Sequence, residues 1–190
     1  MNSKLFVVAA TVALSFAVIQ ARPQQKPEPA KLATLPSAIM DNWNFMQGEV
    51  IGVADAMPAE KYNFAPTNGA FTGVRTFAEQ VKHVACANFA FFNEIEGVAP
   101  PPDCEKGGPD PNTMKTKAEL MKYLRDSYDY SNKVIAKLTP QTMLDRVSGR
   151  YAAPNTKIGL VMVATWHATD HYGQMVEYLR MNGIIPPGSN

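Results

Sequence analysis

Apolar residues recur at helical intervals in four separate stretches of the chain. In 37–57 they are Ile39, Trp43, Met46, Val50, Val53 and Met57, spaced alternately by four and three. That spacing lays a stripe along one face of a helix, as in a bundle. In 74–96 the apolar side is Phe77, Val81, Val84, Phe92 and Ile95, and Thr76 with Glu79 has the form of a capping box. A second such box, Thr116 with Glu119, opens 116–138. There Leu120, Leu124, Val134, Ile135 and Leu138 continue the pattern, and Thr139 and Pro140 end it. The fourth stretch, 156–182, stops at Gly183, with Pro186 and Pro187 beyond. Its first half, 158–166, is apolar nearly all round, which predicts burial by several neighbours. No stretch alternates with the period of a strand. The pattern predicts an all-α fold, a four-helix bundle over 36–190.

The connections are unequal. Residues 58–73 and 97–113 are long for helix–helix loops, and the second holds five prolines; loops of that length are often functional. Residues 141–154 predict a short helical turn and an irregular crossover. Ahead of the bundle, Lys4 precedes an apolar run at 5–19, broken only by Thr11 and Ser15, and Ala21 ends it. This reads as a secretory signal peptide over 1–21, too short to span a bilayer comfortably. Pro23, Pro27 and Pro29 mark a flexible linker over 22–35. The expected location is outside the cytoplasm, periplasmic or extracellular.

Charge narrows the partners. Removal of the leader takes one of the 18 basic residues, Lys4, and leaves as many positive as negative side chains against 17 acidic ones. There is no basic stripe, so nucleic acid is not an expected partner. No other segment suits a membrane once the leader is gone. The two cysteines, Cys86 and Cys104, fit an exported protein with a disulfide. A helix from Cys86 to Glu96 rises about 15 Å, and the chain from Glu96 to Cys104 stretches about 26 Å, so the loop can fold back and reach. Two free thiols, one of them buried, are the alternative.

The chain has three histidines, His83, His167 and His171. His167 and His171 stand four apart, one turn apart on a single helix face. Their stripe reads Leu160, Val163, Ala164, His167, His171, Gln174, Tyr178. It begins apolar and so points inward before it turns polar. Inward imidazoles must satisfy their ring nitrogens, by a metal or by hydrogen bonds. His83 lies midway along the second helix, on a face with Thr76, Gln80, Ala87 and Ala90. On the residues alone, a metal site and a set of hydrogen-bonded core histidines are both open.

Two stretches resemble the DinB-like superfamily of metal-binding bundles. They are MPAEKYNFAPTNGAFTGVRTFAEQVKHVA at 57–85 and WHATDHYGQMVEYLRMNGIIPP at 166–187. In that family one histidine ends the phrase after the first long loop, as His83 does. Two more stand four apart before a Gly-Gln pair, as His167, His171, Gly173 and Gln174 do. The ending Tyr178, Leu179, Arg180, Gly183 and Pro186 also corresponds. The resemblance implies an up-down-down-up bundle, one divalent metal ion on His83, His167 and His171, and pairing of two copies as a homodimer. This chain departs from the pattern at Tyr172, where many members carry Arg, and in its export signal.

Three imidazoles leave a zinc-like ion one open position. Zinc or nickel suits the set first, with iron or manganese also accommodated. Gln174, one turn past His171, offers an amide to a bound ligand, or packs against the bundle end. Glu79, one turn before His83, offers a carboxylate to its free nitrogen, or serves the helix cap. Cys86, three positions after His83, is a further ligand only if it forms no disulfide. A zincin-type protease is excluded because Ala168 stands where the general base belongs. No G-x-S-x-G phrase occurs, so a serine hydrolase is not supported. The implied function is that of a metal-dependent hydrolase or transferase of a small molecule, or of a non-catalytic metal- or ligand-binding bundle.

Overall fold

The computed structural model describes residues 33–99, 114–151 and 156–188. Four helices carry these residues: α1 (Leu35–Ala56), α2 (Phe77–Glu96), α3 (Lys117–Ile135) and α4 (Lys157–Met181), with a short 3₁₀ turn at Ala59–Lys61. Among the described residues there is no strand, only an isolated bridge between Arg146 and Thr156. The proposed leader at 1–21, most of the 22–35 linker and Cys104 lie outside the described residues.

Each helix starts on a threonine whose hydroxyl accepts a backbone N–H three residues on. The caps are Thr34, Thr76, Thr116 and Thr156. Such caps contribute about 1 kcal/mol each. The boxes at Thr76 and Thr116 are those the sequence predicts, completed by Glu79 and Glu119. The first helix begins two residues earlier than its apolar stripe suggests. Thr34 and Ser37 form a further box there, and Pro36 sits in the first turn, where its missing N–H is not needed. The last residues of the expected linker therefore belong to the helix start. Gly97, at φ 70°, closes α2 in the left-handed region that favours glycine.

Inter-helix contacts set the direction of each element. Gln47 of α1 accepts from Asn132 of α3 at 2.9 Å, and Lys117 at the start of α3 reaches the Met57 carbonyl at 3.0 Å, so these two run antiparallel. On α2, Asn88 donates to Ser127 and Glu96 pairs with Lys137, so α2 and α3 run parallel. Gln80 meets Gln174 and His83 meets His167, so α2 and α4 run antiparallel. Thr169 of α4 reaches Met46 of α1, and Gly52 faces Pro187, so that pair is parallel. The order is up-down-down-up, with α1 diagonal to α2 and α3 diagonal to α4.

This order explains the long connections. The chain from α1 to α2 must cross a bundle end diagonally. Parallel neighbours α2 and α3 require a return over a whole helix, about 30 Å for 20 residues. The first crossing is fastened along its length. Tyr62 Oη donates to the Ala54 carbonyl at 2.7 Å, while Phe77 and Ala78 donate to the carbonyls of Phe64 and Tyr62. Lys61 Nζ reaches the Asn182 carbonyl at the end of α4.

All predicted core positions of α2 and α3, and those of α1 apart from half-buried Ile39, are buried. Trp43 packs between Phe92 and Tyr128, with ring centroids 5.1 and 5.3 Å away. One expectation fails. The first half of α4 is not buried all round: Met162 and Trp166 are 67% and 68% exposed. A helix at the corner of a four-helix ring has two neighbours, here α1 and α2, and its outward side stays open whatever its hydropathy.

Candidate metal centre

α2 and α4 run antiparallel at a register that places His83 opposite His167 and His171. His167 Nε2 lies 3.1 Å from His83 Nε2 and 3.2 Å from His171 Nε2. The three rings stand edge to face or tilted, with centroids 4.4 to 5.0 Å apart. His171 is buried, whereas His83 and His167 are half-buried, so the cluster opens on their side. Burial holds all three imidazoles below their ordinary range. His83 is lowered to about 3, with the Arg75 charge as the next cause, and His167 is lowered to about 4, with His171 as the next cause. His171 is also lowered by burial, opposed by the Asp170 carboxylate. All three rings are therefore neutral near pH 7, each with a lone pair to offer.

The tautomer of His171 is fixed by a chain of side chains. Asp170 Oδ2 accepts from Gln174 Nε2 at 2.9 Å, and Gln174 Oε1 accepts from Gln80 Nε2 at 2.7 Å. Gln80 Oε1 then faces His171 Nδ1 at 2.7 Å. A carboxylate only accepts, so it orients the first amide, and that amide orients the second. The Gln80 oxygen must accept from Nδ1–H. The bare nitrogen of His171 is consequently Nε2, and it points at the other two rings.

That assignment tests whether the residues suit a cation. With Nε2 of His171 bare, one proton on His167 Nε2 would have to serve both the 3.1 and the 3.2 Å contacts. Protons alone leave lone pairs facing one another. A tetrahedral ion with nitrogen ligands at about 2.0–2.1 Å has ligand–ligand edges of about 3.3 Å, close to the observed spacing. His83, His167 and His171 are the described residues whose donor atoms could hold a metal ion together.

The other candidates fall in different places. Gln174 joins the chain of amides and has no hydrogen bond to a triad ring. Glu79 serves the cap: its Oε2 accepts from Thr76 N at 2.7 Å, so it is not a partner of His83. Cys86 is disulfide-bonded, its Sγ 3.7 Å from Tyr123 Oη, which removes it as a ligand. Sequence reasoning placed Gln80 on the His83 face without giving it the His171 contact. Asp170 is exposed, yet it anchors the amide chain. A signal for Gln80 was present: an amide on an inward face needs partners.

The segment before α4 adds a wall that the sequence did not announce. Tyr151 N–H donates to the Glu94 carboxylate at 3.0 and 3.2 Å. Its ring packs edge-on against Phe91, which packs edge-on against His167. Gly149 permits this approach, since a Cβ there would run into the Glu94 carboxylate.

Comparison with known proteins supports this architecture. The DinB superfamily model matches residues 43–175, more than half of the chain and all three histidines. A solved structure, that of a conserved protein from Enterococcus faecalis, superposes with a TM-score of 0.63 at 14% identity. The likeness covers 79% of this chain and 98% of that one. At that identity the likeness is one of fold. No curated protein matches the chain. On the extent of the family match, the chain belongs to the DinB superfamily.

Proposed function

We propose that this protein binds one divalent metal ion at His83, His167 and His171 and acts as a metal-dependent hydrolase or transferase on a small molecule. Zinc or nickel suits the three imidazoles first, and iron or manganese after them. The observation that carries the reading is the convergence of three Nε2 atoms at 3.1 and 3.2 Å about His167. An ion so held supplies an open position that acidifies a bound protic ligand and polarises a bound carbonyl. The chain's own contribution is positional. Gln80 holds the His171 ring, and Phe91 with Tyr151 lines the His167 side.

One observation favours a second reading, a non-catalytic metal- or ligand-binding bundle. The carboxylates one turn or less from the triad are engaged elsewhere, Glu79 by the Thr76 cap and Asp170 by Gln174, which leaves neither assigned as a general base. Two measurements separate the readings. Protein stripped by a chelator, reloaded and dialysed should retain about one equivalent of zinc or nickel, and a trace amount would sink the metal claim. Loaded protein should turn over an ester, amide or thiol adduct faster than His83→Ala. Equal rates would leave the non-catalytic bundle.

The proposal extends to an exported protein that forms a homodimer. The apolar run at 5–19 supports export, and exposed Met162 and Trp166 support pairing.

A further inference from the structure

Beyond the Gln80–Gln174 pair lies a cavity of about 650 Å³, a size that suits a small organic molecule. Phe71 and Val74 of the first crossing and Tyr178 and Met181 of α4 supply apolar walls, while the two glutamines form the wall nearest the histidines. Tyr178 Oη donates to the Arg75 carbonyl at 3.0 Å, which fastens the crossing to α4 at the cavity.

Among the described residues, Arg75 is the one cation in this lining. It forms no ion pair among the described residues, and it is half-buried. The carboxylates nearby are engaged elsewhere: Glu177, also in the lining, pairs with Arg180 at 2.7 Å, and Asp170 accepts from Gln174. A partly buried guanidinium without a carboxylate is costly unless an anion joins it, and its planar fork matches a carboxylate.

We propose that this cavity is a substrate subsite for a carboxylate-bearing small molecule with an apolar body. The carboxylate sits on the Arg75 guanidinium, and the body lies against Phe71, Val74, Tyr178 and Met181. As a substrate subsite it rests on reading the triad as a centre that acts on small molecules. The cavity itself does not depend on the metal.

The test uses 3-phenylpropionate, with 3-phenylpropionamide and 3-phenylpropylamine as neutral and cationic counterparts, and reads the Met181 methyl resonance of the full chain. The metal-free protein and His167→Ala should both bind the carboxylate at about 1 mM or tighter, as a ligand of this size allows. The amide should bind at least about tenfold more weakly, in keeping with a charge-assisted hydrogen bond, and the amine should not bind. Arg75→Gln should lose about tenfold or more, and Arg75→Lys should retain part of the affinity. Glu177→Gln, which removes a like charge from the wall, should bind about two- to threefold more tightly, a gain that misfolding cannot mimic. The proposal is overturned by no saturable shift up to about 10 mM, by equal binding of carboxylate and amide, or by an Arg75→Gln variant that binds as wild type does. Because these arms need no metal, their failure beside a positive metal analysis rejects the carboxylate subsite alone. Their success beside a negative one rejects the centre alone.

Discussion

The two flanks of α4 invert the usual relation between hydropathy and burial. Toward α2, the helix turns polar side chains inward: His171 is buried, and its partner Gln80 is 2% exposed. Toward α1, it leaves apolar side chains in the open. Met162 and Trp166 border a groove of about 470 Å³ with Ile39 and Val161. A buried polar group and a large exposed apolar one are the informative exceptions to the rule of a hydrophobic inside. On the α2 flank the exception is fully worked out, because each amide has its partner and the chain ends on a carboxylate. On the α1 flank the polar groups are threonine hydroxyls bonded mainly to their own helix, and no comparable chain links the two helices among the described residues. The difference teaches that the α2 flank gathers directed lone pairs at one point, where three histidines could hold a metal ion, whereas the α1 flank leaves an apolar groove open to solvent.

Removing His167 should break this contrast most severely. His167→Ala deletes the ring whose Nε2 touches both others, and affinity for zinc should fall by more than about a hundredfold by competition titration. Thermal unfolding of the metal-free protein should change little, because the ring is half-buried and its Nδ1 has no hydrogen-bond partner. Loss of the fold together with the metal would make the triad structural. Gln80→Leu keeps all three rings and removes the acceptor opposite His171 Nδ1 together with the donor to Gln174. It should cost about ten- to a hundredfold in zinc affinity, the usual effect of removing a partner behind a ligand. Gln80→Glu keeps an acceptor there and should retain most of the affinity. Equal losses in both variants would mean that the residue acts by packing.

The contrast between the flanks was only partly legible in the residues. Helix starts were legible because a cap is local: Thr76 and Glu79 stand three apart, and so do Thr116 and Glu119. The pairing of His167 with His171 was legible for the same reason, since helical spacing fixes it. Adding His83 required the register of α2 against α4, which spacing within one helix cannot supply, so the family resemblance carried it. The amide chain was illegible, because it alternates between helices at Gln80 and Gln174. The exposure of Trp166 was also hidden. Hydropathy records that a side chain is apolar but not how many neighbours its helix has. Glu79 shows the converse, a residue whose local cap already accounts for it.

Asp170 sharpens the comparison at smaller amplitude. Its carboxylate sets the direction of both amides, but it is exposed and water can take its place on Gln174. Asp170→Leu should therefore weaken zinc binding by only about threefold, well below the Gln80→Leu effect. A loss as large as that of Gln80→Leu would show that the amides cannot orient without the charge.

The smallest effect on the metal should come from the other flank. Trp166→Ser removes the largest exposed apolar side chain beside the groove and touches no ring of the triad. Zinc affinity should stay within about twofold of wild type, because neighbouring side chains on a helix point about 100° apart and the Trp166 ring faces away from the triad. If the α1 flank is where two copies pair, the same substitution should convert a dimer to a monomer in sedimentation at micromolar concentration. A wild-type chain that sediments as a monomer removes pairing from the proposal, and a Trp166→Ser dimer moves it to another face. A change in zinc affinity would be more consequential. His167 follows Trp166 directly, so an effect there would mean that covering the apolar flank also sets the triad, and the two flanks of α4 would be one device rather than two.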